Sequence, residues 1–92
     1  MRSIVIAAAV LALAATGAQA KSWSRACTSA PASQYLSGSE LWAKAEAQGY
    51  RVKGVEIERG CADVDAFDKN GREVDLYLDP TDGKIVGLEY DD

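Results

Sequence analysis

The stretch Asp75 to Tyr90, DLYLDPTDGKIVGLEY, sets Asp75, Asp79, Asp82 and Glu89 around a proline and a glycine, between two apolar runs. Closely spaced carboxylates are the donors that hard cations take, and Asp63, Asp65, Asp68 and Asn70 lie just upstream. Spacing decides whether they form a ligand set. If Gly71 is the turn glycine of an EF-hand loop, the first acid falls on Ala66 and the closing glutamate on Tyr77, so that pattern fails. No metal site is assigned on these grounds. A divalent-cation-binding module built on Asp63, Asp65, Asp68, Asn70, Asp79 and Asp82 stays as an alternative. Asp79-Pro80-Thr81-Asp82-Gly83-Lys84 reads instead as a hairpin turn, with Pro80 fixing φ at its start and Gly83 taking the conformation other residues resist.

Catalytic chemistry has few parts to work with. The chain has no histidine, which removes the usual general base, the usual nucleophile activator and the commonest zinc ligand. Ser and Lys occur in no nucleophile–base spacing. Carboxylate pairs of the glycosidase kind need a cleft for which so small a chain has little room. The expectation is a protein that is not an enzyme and carries no cofactor. Cys27 and Cys61 are the two thiols, and they lack the Cys-x-x-Cys spacing of a redox or zinc motif.

The N-terminus supplies the compartment that decides their chemistry. MRSIVIAAAVLALAATGAQA opens on Arg2, continues as an unbroken apolar run from Ile4 to Ala15 and ends in Ala18-Gln19-Ala20. These are the three parts of a secretory signal peptide, 1–20, cleaved before Lys21. The run is too short to span a bilayer, which takes about 20 residues, so no stable membrane insertion is expected. Lys21 after the cleavage site also argues against a lipoprotein, which would need Cys there. The expected location is the periplasm or the medium, where thiols oxidise. Cys27 and Cys61 are then expected to pair, closing a loop of about 35 residues worth roughly 3–4 kcal/mol in the chain-entropy model. The 92 residues less a leader of 20 leave a mature chain, Lys21 to Asp92, that makes one domain. Such a domain is near the lower size limit for folding alone, where a staple matters most.

Charge is unevenly spread. From Lys21 to Val55 five basic residues face two acidic ones, whereas from Glu56 to Asp92 four basic residues face twelve acidic ones. A surface that acidic repels phosphates, so nucleic acid is excluded as a partner. It can serve as a face offered to a basic or metal-bearing partner, or simply as a solvated, solubilising surface.

The elements that must position these groups follow from periodicity. Residues 21–36 are rich in Ser and Ala, hold Pro31 and show no period: an irregular lead-in tied down at Cys27. Ser37-Gly38-Ser39-Glu40 reads as a capping box. It opens a helix from Gly38 to Gln48 with Leu41, Trp42, Ala45 and Gln48 on its buried stripe, stopped by Gly49. Four strand-like segments follow, Tyr50 to Glu58, Cys61 to Asp68, Arg72 to Asp79 and Lys84 to Tyr90. A bulge is expected at Gly54, where the apolar parity changes. Arg59-Gly60 marks one turn, and Asn70-Gly71, both tolerant of positive φ, marks a second. Each strand has an apolar face and a mixed one, the pattern of an antiparallel sheet covered on a single side. The helix is expected to cover Val64, Leu76 and Val86. The open face then carries Phe67, Tyr77, Asp63, Asp65 and Asp75, which are the candidate binding residues.

Several of these segments together resemble the PepSY domain family. They are the helix end Gln48-Gly49-Tyr50, the strand residues Val55-Glu56-Ile57, then Gly60-Cys61, and Ala66-Phe67-Asp68-Lys69-Asn70-Gly71-Arg72-Glu73-Val74. The set closes with Leu76-Tyr77-Leu78-Asp79-Pro80-Thr81-Asp82-Gly83-Lys84-Ile85-Val86. The likeness is to the small exported, single-domain members of that family, and it covers Glu40 to Leu88. It departs at Ala62 and Asp65, where relatives often carry aromatic residues. The resemblance implies an α+β fold with one helix packed on one face of a four-stranded antiparallel β-meander, the PepSY-like domain occupying 37–92 after the irregular lead-in. It also implies a binding role, as an inhibitor or modulator of a peptidase or other envelope protein, and no family catalytic residues to carry over. The partner expected is thus a protein. Beside this reading stand the cation-binding module and a small structural or oligomeric envelope protein.

Overall fold

The computed structural model describes residues 23–91; the leader expected at 1–20 lies outside the described residues. A lead-in broken by one 3-10 turn, Ala32–Gln34, precedes helix α1 (Gly38–Ala47) and strands β1 (Arg51–Glu58), β2 (Cys61–Phe67), β3 (Glu73–Leu78) and β4 (Ile85–Tyr90). The four strands form one antiparallel sheet in the order β1-β2-β3-β4. The fold is therefore α+β, one helix on an antiparallel meander.

Helix α1 starts where its cap chemistry dictates. Ser37 Oγ accepts the Glu40 backbone N–H at 3.1 Å while the Glu40 carboxylate accepts the Ser37 N–H at 2.9 Å, so the first turn's free donors are satisfied reciprocally. The helix stops at Ala47, and Gly49 follows with φ 104°. Its buried stripe is narrower than the periodicity predicts. Leu41 and Ala45 are fully buried, but Trp42 is 39 % exposed and Gln48 stands at the surface. The Gln48 amide has another use: it donates to the Lys44 and Gly83 carbonyls, at 2.9 and 3.0 Å, tying the helix end to the β3–β4 turn.

Helix α1 lies over β1 and β2. Beneath it, cross-strand register aligns three rows: Val52–Ala66–Val74–Tyr90, Val55–Val64–Leu76–Leu88, and Ile57–Ala62–Leu78–Ile85. Their inner members, with Leu41 and Ala45, form the core, and Leu36, Tyr50, Val55 and Ile85 pack around it. Val86 is not covered, contrary to expectation. A register shift opposite Tyr77 and Leu78 leaves Val86 as the extra residue of β4, so Ile85 takes the inward place and Val86 is 41 % exposed.

Turn chemistry differs between the hairpins. Arg59 and Gly60 both have positive φ, 48° and 78°, as a two-residue hairpin turn requires. At Asn70-Gly71 only Gly71 does, at 85°. Asp68 decides this: its Oδ1 accepts the Asn70 and Arg72 N–H groups at 2.8 and 3.0 Å, and its carbonyl accepts the Gly71 N–H at 2.9 Å. Asn70 is thereby kept right-handed, and the loop is a turn closed by a left-handed glycine rather than a two-residue hairpin. The β1 bulge falls between Val52 and Gly54, with Lys53 as the extra residue.

Candidate functional site

The sheet face away from the helix carries the predicted binding residues, and its charges lie in a row. Asp65 pairs with Asp75 across β2 and β3, and Asp75 pairs with Glu89 across β3 and β4. Glu56 pairs with Asp63 across β1 and β2, and Asp63 with Tyr77. Carboxylates thus stand opposite carboxylates, an arrangement that by itself disfavours strand pairing. Glu56, Asp63, Asp65 and Asp75 line a depression of about 400 Å³ floored by Gly54 and Val55.

Lys53, delivered by the β1 bulge, sets a cation against Asp65 and Glu73. Its Nζ lies 2.7 Å from Glu73 and 3.7 Å from Asp65. The Glu73 carboxylate raises the Lys53 pKa, and Lys53 in turn lowers that of Glu73. Asp65 is shifted the other way, upward: burial dominates over the nearby ammonium, and Glu73 and Asp91 add to the rise. Its Oδ1 is buried without a hydrogen-bond partner. Asp65, Glu73 and Asp91 bring carboxylate oxygens within 4.8 Å of one another, but the Lys53 ammonium already sits against Glu73 and Asp65. Of the other acids of the cation-binding alternative, Asp63 stands on β2 and the rest are dispersed into turns. Asp68 holds the β2–β3 loop, Asp79 accepts the Thr81 N–H and hydroxyl at 2.9 and 2.6 Å, and Asp82 accepts the Lys84 N–H at 2.9 Å.

The face is not open throughout, and this corrects the sequence reading. Tyr77 is 3 % and Asp75 4 % exposed. What covers Tyr77 is the lead-in, pinned to β2 by the Cys27–Cys61 disulfide and by the Cys27 N–H, which donates to the Gly60 carbonyl at 3.1 Å. Trp23 stacks on the Tyr77 ring, centroids 4.8 Å apart and planes 8° from parallel, and its Nε1 donates to Cys61 Sγ at 3.4 Å. Gly87, opposite Tyr77, makes room: a Cβ there would run into the Trp23 ring. Arg25 lies 4.8 Å from the centre of the Trp23 ring. Burial, with Asp63 and Glu89 beside it, pushes the Tyr77 phenol well above its ordinary pKa, and its hydroxyl donates to Glu89 Oε1 at 3.2 Å. Phe67, half-buried, is bracketed by Arg51 and Lys53 at 4.8 and 5.2 Å. Exposed carboxylates thus remain at Glu56 and Glu58 and, partly, at Asp63, Asp65 and Glu89.

Sequence reasoning missed Trp23, because an aperiodic segment shows no face. The signal that could have found it is its position four residues before a cysteine that pairs into β2. It also missed the exposed apolar row of β4, Val86, Leu88 and Tyr90, since periodicity shows which residues share a face but not how far one helix reaches across it.

The described residues contain no helix long and apolar enough to cross a membrane. No curated protein and no solved structure matches the chain. A family model does match, over residues 4–89, nearly the whole length. With one helix on a four-stranded meander, the chain belongs to the PepSY family described as peptidase propeptide and YPEB domain.

Proposed function

We propose that this is a non-enzymatic binding module of the cell envelope, exported by its leader, that inhibits or modulates a peptidase or a related envelope protein through the face opposite its helix. The observation that carries the reading is the row of like charges on that face. Strand register sets Glu56 beside Asp63 and, in the neighbouring row, Asp65 beside Asp75 and Asp75 beside Glu89. A partner presenting Lys or Arg to the depression between Glu56 and Asp65 meets a cluster of carboxylates, the charge complementarity that steers association and fixes register. Family membership supplies the class of partner, and the disulfide fits an oxidising compartment.

Affinity capture from periplasmic extract tests this. The protein should retain a peptidase or a peptidase-associated protein, and the double variant Asp63→Lys/Asp65→Lys should lose it. Titrating the captured peptidase with the wild-type protein should change its turnover of a peptide substrate. Recovery of no partner, or equal recovery by the charge-reversed variant, would overturn the proposal.

A further inference from the structure

The two edges of the sheet are built differently. On β1 the Val52 N–H is already taken by the Glu46 carboxylate of α1, at 3.4 Å, and a bulge, Arg51, Lys53, Glu56 and Glu58 break up the rim. Bulges and charges, lysine above all, are the devices that keep edge strands from pairing with other chains. Strand β4 lacks them beyond its first residues. From Val86 to Tyr90 its one charge is Glu89, which projects to the far face beside Tyr77, while Val86, Leu88 and Tyr90 are each 41–42 % exposed.

Its backbone is also in the right phase. The Asp91 N–H donates to the Glu73 carbonyl at 3.2 Å, so Asp91 points its polar groups at β3. Antiparallel ladders alternate. Glu89 and Gly87 therefore also face inward, whereas Leu88 and Tyr90 aim their N–H and C=O groups outward, at the same positions whose side chains are exposed. We propose that β4 is a self-pairing edge: two copies of the chain join through it, antiparallel, about a two-fold axis at Leu88.

Charge order selects the second copy and the antiparallel sense. Lys84 precedes the strand and Asp91-Asp92 follow it, so antiparallel pairing sets the basic start of each strand against the acidic end of the other. Parallel pairing would stack like on like. With Leu88 on the axis, Leu88 meets Leu88 of the other copy and Val86 meets Tyr90, and the sheet continues over eight strands. A strand pair this short buries less than the roughly 800 Å² per partner of a standard complex, which points to a weak dimer. This pairing uses a different surface from the acidic face and does not depend on the function proposed above.

Sedimentation velocity of the purified protein, from about 10 μM to 1 mM, reads the association directly. The mass should climb towards that of a dimer, and Leu88→Lys, a change at a surface position, should raise the dissociation constant at least about tenfold, with an unaltered circular dichroism spectrum. Lys84→Glu should weaken it as well. Amide exchange supplies a second reading: protection at Leu88 and Tyr90 should rise with protein concentration while that at Val55 and Ile57 of β1 stays constant. A strict monomer at the top concentration, or a dimer that Leu88→Lys leaves intact, overturns the proposal. So does protection of β4 that appears only when a different protein is added, because the edge would then receive a foreign strand.

Discussion

Alternate residues of the same strands build two faces of opposite character. Val64, Leu76 and Leu78 lie on the helix face and are fully buried, whereas their chain neighbours Asp63, Asp65, Asp75 and Tyr77 lie on the opposite face, where the lead-in covers Tyr77. One face is closed by a helix over aliphatic side chains; the other is closed in part by five residues and a disulfide, and keeps carboxylates opposite carboxylates. The difference teaches that apolar packing and clustered charge are divided across a single sheet thickness. Apolar burial on the helix side supplies the free energy that lets the other side hold its charges together.

The largest break in that comparison should come from the helix face. Leu76→Ala removes a fully buried side chain from the middle of β3, and should cost about 2–5 kcal/mol by lost burial and the cavity left behind. In so small a domain that approaches the whole folding free energy, so denaturant unfolding should show a collapse of the midpoint or a chain unfolded in buffer. On the far face the largest loss should come from the staple. Cys27→Ser with Cys61→Ser opens a loop with a sequence separation of 34 and should cost roughly 3–4 kcal/mol, together with a change in Trp23 fluorescence as the lead-in leaves Tyr77. Gly87→Ala sharpens the point, since it evicts the Trp23 ring while sparing the disulfide. Its expected cost is about 0.5–1.5 kcal/mol, the worth of one aromatic pair. An unchanged Trp23 spectrum in that variant would mean the lead-in does not rest on Tyr77 in solution.

The helix face was legible in the sequence because its signals are local. Ser37 and Glu40 stand three apart as a capping box must, and the strands alternate with period two, so the helix, the four strands and the antiparallel order could all be read. The buried members Val64, Val74, Leu76 and Leu78 follow directly from parity. The far face was legible only as a set of residues. Parity places Phe67, Tyr77, Asp63, Asp65 and Asp75 together, and the structure keeps them on one side. It cannot show that Trp23, 54 positions before Tyr77, stacks on it, because that contact depends on where a disulfide lays an aperiodic segment. The extra residue at Val86 was hidden for a related reason: a bulge moves every later side chain by one place, and nothing in Ile85-Val86-Gly87 announces it.

Ser37→Ala measures the local signal by itself. It removes the hydroxyl that accepts the Glu40 N–H, at a helix that buries two residues, and should cost about 1 kcal/mol. That corresponds to a fall of roughly 4–8 °C in melting temperature for a domain of this size. A loss as large as that from Leu76→Ala would mean the helix end, and not the core beneath it, limits stability.

The smallest effect is the most discriminating, because its sign differs between two aspartates three residues apart. Burial raises the Asp65 pKa above its ordinary value, so the folded chain holds that proton more tightly than the unfolded one. Its contribution favours folding below the ordinary carboxylate range and is lost as pH climbs through the raised value. At neutral pH Asp65→Asn should therefore raise the melting temperature, by the few tenths of a kcal/mol that a like-charge cross-strand pair costs, and should do nothing near pH 3. Asp68 is opposite: the Arg72 N–H, then those of Asn70 and the Tyr90 hydroxyl, lower its pKa. Its contribution is complete above the ordinary range and disappears as pH falls through the lowered value, so Asp68→Asn should lower the melting temperature at neutral pH and lose its effect in acid. Melting curves of both variants from acid to neutral pH should diverge in opposite directions from the wild type. If Asp65→Asn instead destabilises at neutral pH, the Lys53 ion pair outweighs the repulsion, and the acidic face is then balanced within the chain rather than waiting for a cation from a partner.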